Sequence, residues 1–185
     1  GEAEPLLRKS VLLLSKAGER HLSSLANAEM NLANLYNSQR EFVRAEQLYL
    51  HAIGIIERIA GDNQIEAARI RNNLATLYQS VGLYEKAIAE HSRSLKIFQS
   101  VLGNANLDTA RSMANLAAIY TLQKKFSEAD DLYRKVIAIR EAKLGPDHPD
   151  LALTLMSLGL TLQQARRFDE SRQLIERCLQ IRRTS

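Results

Sequence analysis

At 185 residues, with 45% hydrophobic and only 5% aromatic content, three prolines and eight glycines, the chain is composed for long regular elements with little punctuation. A formal charge of +4 without long runs of like charge argues against a nucleic-acid arm, and no apolar run reaches the length that crosses a membrane. Leu, Ala, Glu, Arg and Gln abound while the β-branched alternation of strands is missing, so the expected fold class is all-α. The single cysteine, Cys178, cannot form an internal disulfide and fits a reducing, cytoplasmic setting. The stretch "SVLLLSK" (10 to 16) is too short and wrongly placed for a secretory signal.

The first predicted element is a helix over "EAEPLLRKSVLLLSK" (2 to 16), with Pro5 tolerated because first-turn amides have no intrahelical partner. Next come Leu32, Leu35 and Tyr36 at helical spacing, a polar break at "NSQRE" (37 to 41), and a second helical run through Leu48, Tyr49, Ala52, Ile53 and Ile56. This hairpin then recurs. Gly61, Gly103 and Gly145 stand 42 residues apart, in "AGDNQIEAA", "LGNANLDTA" and "LGPDHPDLA", and the last reads as a turn running into a helix with Pro149 at its start. The same step joins Leu32, Leu74, Leu116 and Leu158; Ala33, Ala75, Ala117 and Gly159; Phe42, Tyr84, Phe126 and Phe168; and Ala45, Ala87, Ala129 and Ser171. Tyr36, Tyr78 and Tyr120 form a column that Leu162 breaks. Small residues at Ala33 and Ala45 let the two helices of a hairpin approach closely. Each buried leucine contributes roughly 1.5 to 3 kcal/mol, so the columns explain stability first.

These columns resemble the tetratricopeptide repeat, in which a Leu-Gly or Leu-Ala pair precedes Tyr, a turn aromatic, and Ala, aromatic and Ala along the second helix. Leu74, Ala75, Tyr78, Tyr84 and Ala87 match, His91 and Ser94 depart at the next two columns, and Tyr49, Ala52 and Tyr133 restore them in other units. The 42-residue length, with "LGPDHPDLA" and "AIREAKLG", is similar to the repeats of kinesin light chains. The resemblance implies a right-handed α-α superhelix, a solenoid of helical hairpins, running as one array over 1–185: a lone second helix at 2–18, then repeats at 19–60, 61–102, 103–144 and 145–185. The array therefore begins inside a repeat and ends without a polar capping helix, so a fragment of a longer protein is expected.

In such arrays the first helices line a concave face. One helical stripe there holds Asn27, Asn31, Asn34 and Ser38, then Arg69, Asn73, Thr76 and Ser80, then Arg111, Asn115, Ala118 and Leu122; the fourth repeat turns apolar, with Leu153, Ser157, Leu160 and Gln164. Asn31, Asn73 and Asn115 lie beside the leucine column but rotated by about 100° from it. A primary amide both donates and accepts, so a row of them can hold the main chain of an extended peptide. Family resemblance implies peptide contact at these three positions and not at Ser157. Arg69 and Arg111 would attract carboxylates, although Glu66 and Asp108 are local partners for them.

Other chemistry finds little support. His21, His51, His91 and His148 fall in different columns, none with metal-ligand spacing on one helix; His148 suits the start of a helix, and Cys178 shares the small-residue column of Ala52, Ser94 and Val136. Adjacent Asp130 and Asp131 read as a solvated face, and the aromatics are claimed by core columns rather than left to stack on bases. The expectation is thus a scaffold, neither enzyme nor nucleic-acid binder, that takes a protein or peptide ligand, with acidic character selected by Arg69 and Arg111 and no cofactor. The rival is self-association through exposed terminal helices bearing Leu6 and Leu13, giving a homo-oligomer.

Overall fold

The computed structural model describes residues 3–59 and 64–184, and the first of the three aligned glycines, Gly61, lies outside them. Among the described residues nine α-helices alternate with short turns: α1 Ala3–Lys16, α2 Leu22–Ser38, α3 Phe42–Arg58, α4 Gln64–Ser80, α5 Tyr84–Leu102, α6 Leu107–Leu122, α7 Phe126–Leu144, α8 Pro149–Gln164 and α9 Phe168–Thr184. The helices α2/α3, α4/α5, α6/α7 and α8/α9 follow one another in pairs, with α1 ahead of them.

Local chemistry sets the boundaries. The Asn106 side chain accepts from the Asp108 N–H at 2.8 Å to cap α6, and His148 Nδ1 accepts from the Asp150 N–H at 3.1 Å to cap α8, with Pro149 in the first turn. Each hairpin turns at one left-handed residue, again on the 42-residue step: Arg40 (φ 63°), Gly82 (φ 79°), Lys124 (φ 60°) and Arg166 (φ 62°). The following amide then reaches back to close the preceding helix, as Glu41 N–H does to Tyr36 O at 2.8 Å and Leu83 N–H to Tyr78 O at 2.8 Å. Only Gly82 adopts this conformation without a Cβ penalty.

The helices form two compact units, Gly1–Ile97 and Phe98–Ser185. In the first, α2 packs on α3 and α3 on α4, burying Leu25, Leu32 and Tyr36 of α2, Ala45, Tyr49, Ala52, Ile53 and Ile56 of α3, and Ile70, Leu74, Leu77 and Tyr78 of α4. Ala33, Ala45, Ala75 and Ala87 are all 0% exposed, as their role in close helix approach requires. Tyrosine hydroxyls tie consecutive hairpins: Tyr36 donates to Glu4 of α1 at 3.3 Å and Tyr78 to Glu46 of α3 at 2.7 Å, one repeat later. Arg71 of α4 joins Glu57 of α3 to Glu90 of α5, and Arg93 also meets Glu90 at 2.8 Å. The column breaks at His91 and Ser94 are buried polar contacts, His91 Nδ1 lying 2.8 Å from Asn72 Oδ1 and Ser94 Oγ donating to Ala68 O at 2.7 Å. Glu29 is buried against His51 Nδ1 at 2.8 Å; burial raises its pKa, and the His51 contact opposes that rise. Helix α1 buries no residue.

In the second unit one cluster joins Ala117, Ala129, Tyr133, Leu158 and Leu162, and another joins Leu151, Ala152, Leu155, Cys178 and Ile181. Cys178 is a fully buried free thiol in the same column as Ala52, Ser94 and Val136. Gly159 stands where the other repeats carry alanine because a Cβ there would lie 2.8 Å from Ile175 Cγ1. Two readings of the sequence need correction. Asp130 is buried, not on a solvated face: Arg134 holds it at 2.6 Å and Arg167 pairs with its other oxygen, while only Asp131 is exposed. The turn aromatics are also less buried than core residues, with Phe42, Tyr84 and Phe126 half-buried and Phe168 exposed.

Candidate functional site

The first helices of the hairpins present the predicted stripe away from the leucine cores. On α2, Asn31 and Asn34 are exposed and Asn27 is half-buried; on α4, Arg69 and Thr76 are exposed and Asn73 is half-buried. On α6, Arg111 is exposed and Asn115 half-buried. This placement follows from the helical period: residues one position from a buried leucine rotate to the margin of the core.

Within the first unit three of these residues meet. Tyr49 of α3 donates to Asn34 Oδ1 at 2.5 Å, and Asn73 Nδ2 donates to the same oxygen at 3.2 Å. Burial pushes the Tyr49 hydroxyl up to about 12, which keeps it a donor. Asn34 therefore serves packing first, its oxygen spent on two donors, while its amide NH2 and the Asn73 oxygen stay available. The side chains of Asn27 and Asn31 make no hydrogen bond among the described residues. Thr76 turns its hydroxyl into its own helix, donating to Asn72 O at 3.0 Å. Beyond it the stripe opens into a groove of about 420 Å³ lined by Asn37, Ser38, Thr76 and Ser80. Arg69 lies 3.9 Å from Glu66, the anticipated local partner.

In the second unit the Asn115 side chain makes no hydrogen bond among the described residues, and Arg111 donates to Asp108 at 2.7 Å. The fourth repeat departs as the sequence suggested: Leu153 and Leu160 are 53% and 47% exposed, and Ser157 donates to Leu153 O at 2.9 Å within its helix. Burial raises the Tyr133 pKa, and Ser157 and Thr121 oppose that rise.

One residue escaped the sequence reading. Arg140 of α7 occupies the column of Ile56 and Phe98, both buried, yet it carries a guanidinium into that position. Its Nη1 donates to Asp150 O and to Thr154 Oγ1, each at 2.6 Å. The signal was the change along this column from Ile56 and Phe98 to Arg140 and Arg182. The histidines do not converge, and no cluster of three or more His, Cys, Asp or Glu side chains suited to a metal occurs among the described residues. No described helix is long and apolar enough to cross a membrane.

Solved structures share this architecture. BtubC (BKLC) from P. vanneervenii superposes with a TM-score of 0.87 at 23% identity, over 99% of this chain and 73% of that one. A Podosopora anserina array described as a kinesin light chain with nearly identical TPR-like repeats gives 0.81 at 22% identity, over 98% and 86%. The apo form of RapI gives 0.83 at 17%, over 95% and 61%. At these identities the likeness is one of fold. No curated protein matches the sequence. The family model for the tetratricopeptide repeat matches residues 24–89, 66–142 and 131–184. With that match spanning nearly every hairpin, and the repeats resembling those of kinesin light chains, the chain belongs to the tetratricopeptide repeat family.

Proposed function

We propose that this chain is a protein-interaction scaffold that holds an extended, acidic peptide segment along the exposed faces of its first helices. The observation that carries the reading is the recurrence of Asn31, Asn73 and Asn115 on one register, each with amide capacity left unspent by the fold. Those amides pair with peptide main chain, which lacks side-chain specificity, while Arg69 and Arg111 supply the preference for carboxylates. Asn27, Asn34 and Thr76 border the same faces. The relatives described as kinesin light chains favour a protein ligand over a small molecule.

Fluorescence-polarisation binding of a diverse extended-peptide library tests the reading. The parent chain is expected to retain acidic peptides, and Asn73→Ala, Asn115→Ala, once circular dichroism shows it folded, is expected to lose them. Unchanged binding by the double variant would reduce the asparagine row to a product of repeat duplication. A second reading, self-assembly, is favoured by one observation: Leu6, Leu12 and Leu13 of α1 are 68%, 54% and 59% exposed.

A further inference from the structure

We infer that the second unit carries a docking cavity beside Lys135 of α7, which takes a partner protein segment that pairs an apolar side chain with an acidic one. The surface belongs to the second helices and goes beyond the asparagine-bearing stripe. Its starting point is a column of cations. His51, Arg93, Lys135 and Arg177 stand 42 residues apart on α3, α5, α7 and α9. Three of them have an acid within the fold: His51 meets Glu29 at 2.8 Å, Arg93 meets Glu90 at 2.8 Å and Arg177 meets Glu141 at 2.6 Å.

The surroundings of Lys135 replace each of those acids. Moving by whole repeats puts Met113 in the position of Glu29, Leu132 in that of Glu90 and Gln99 in that of Glu141. Lys135 makes no ion pair among the described residues, and Asp131, one turn earlier on α7, stays beyond ion-pair distance of it. An exposed lysine without a partner is ordinary, since water solvates it. What sets Lys135 apart is the cavity next to it.

Two of the three replacements, Met113 and Gln99, line that cavity together with Asn104, Lys135, Ala138 and Ile139. Its volume of about 490 Å³ falls in the range of ligand clefts, and no carboxylate lines it among the described residues. Met113 is 4% exposed and Lys135 is exposed, so the wall is apolar at depth and cationic at the edge. In the first unit the same register holds the buried Glu29 against His51, a polar pair that satisfies itself. Exchanging that pair for Met113 and Lys135 leaves an apolar surface beside an unpaired charge. The side-chain amides of Gln99 and Asn104 make no hydrogen bond among the described residues and are free to pair with main chain. Charge complementarity therefore calls for a segment whose apolar side chain covers Met113 and Ile139 while a neighbouring carboxylate supplies the acid that Lys135 lacks.

Methyl NMR of the full chain, read at Met113 and Ile139, tests the cavity with blocked tetrapeptides at constant ionic strength. The first has two leucines flanked by aspartates; the others put asparagines or lysines in place of the aspartates, or serines in place of the leucines. Saturable shifts are expected with the aspartate peptide, roughly threefold to tenfold weaker binding with the asparagine peptide, and no saturation with the serine peptide. Lys135→Glu, a change at an exposed site that leaves the fold intact, should weaken the aspartate peptide by roughly tenfold and strengthen the lysine peptide by a similar factor. A merely structural lysine would not exchange one preference for the other. Unsaturated shifts with every peptide, equal binding of the serine peptide, or an order of affinities that Lys135→Glu leaves unchanged would overturn the site. If acidic peptides bind in the library experiment while these methyl signals never saturate, the stripe stands and the cavity falls; saturation here without loss of binding in Asn73→Ala, Asn115→Ala supports the cavity and removes the stripe.

Discussion

His91 shows how much one side chain can control. It fills the column that Tyr49 and Tyr133 occupy in other repeats, is 0% exposed, and its Nδ1 faces Asn72 Oδ1 at 2.8 Å while Nε2 has no partner. A neutral ring tolerates that environment, with the proton on Nδ1 donated to Asn72, but a second proton on Nε2 would place an unpaired charge in the core. Burial accordingly pushes its pKa from 6.5 down to about 4. The unfolded chain therefore takes up a proton that the folded chain refuses. Stability is full above pH 6.5, is lost as the pH falls toward 4, and the loss amounts to roughly 3 kcal/mol. Glu29 acts in the opposite sense: its raised pKa contributes stability below 4.5 that disappears as the pH rises through its folded value. Urea unfolding at pH 7 and pH 4.5 should show the fall in the parent chain and a smaller one in His91→Tyr; parallel losses would remove His91 as the cause. The sequence marked His91 and Ser94 as departures from the repeat, because columns are visible in one dimension. It did not reveal Asn72 as the partner, since that depends on how α4 rolls against α5.

At the scale of helices, the same limit separates what periodicity dictates from what facing surfaces decide. The leucine, alanine and tyrosine columns were legible because each follows from spacing within one helix. The link from Arg71 to Glu57 and Glu90 spans three helices, and no spacing rule announces it. Asp130 makes the point again: Arg134 lies one turn along the same helix, but Arg167 arrives from the start of the next repeat's second helix. Arg71 is little exposed, so its removal leaves Glu90 buried with Arg93 as its remaining cation. Arg71→Met is expected to destabilise the chain by roughly 1 to 3 kcal/mol in urea unfolding. Adding Glu90→Gln should return part of that loss, because the buried charge goes with its partner. A double variant that falls by the plain sum of the singles would show that the two residues do not cooperate.

For the molecule as a whole, the 42-residue period made the architecture readable, since every hairpin repeats the same core instructions with modest substitutions. The candidate site was readable only in outline: the stripe could be placed on one face, yet the Tyr49–Asn34–Asn73 link and the inserted Arg140 required knowing which faces touch. Helix α1 raises the remaining question at this scale. It packs on α2 and is tied there by Glu4 to the Tyr36 hydroxyl, but it buries none of its own residues and leaves Leu6, Leu12 and Leu13 in water. Three exposed leucines on one short helix form an adhesive surface whose burial against a second copy would be favourable at high concentration. Sedimentation velocity at low and high concentration is expected to show association that Leu6→Glu removes. Because Leu6 is 68% exposed, that substitution should leave the folded monomer almost unchanged, so a lost oligomer reports the surface and not unfolding. A monomer at both concentrations would eliminate self-assembly through this helix.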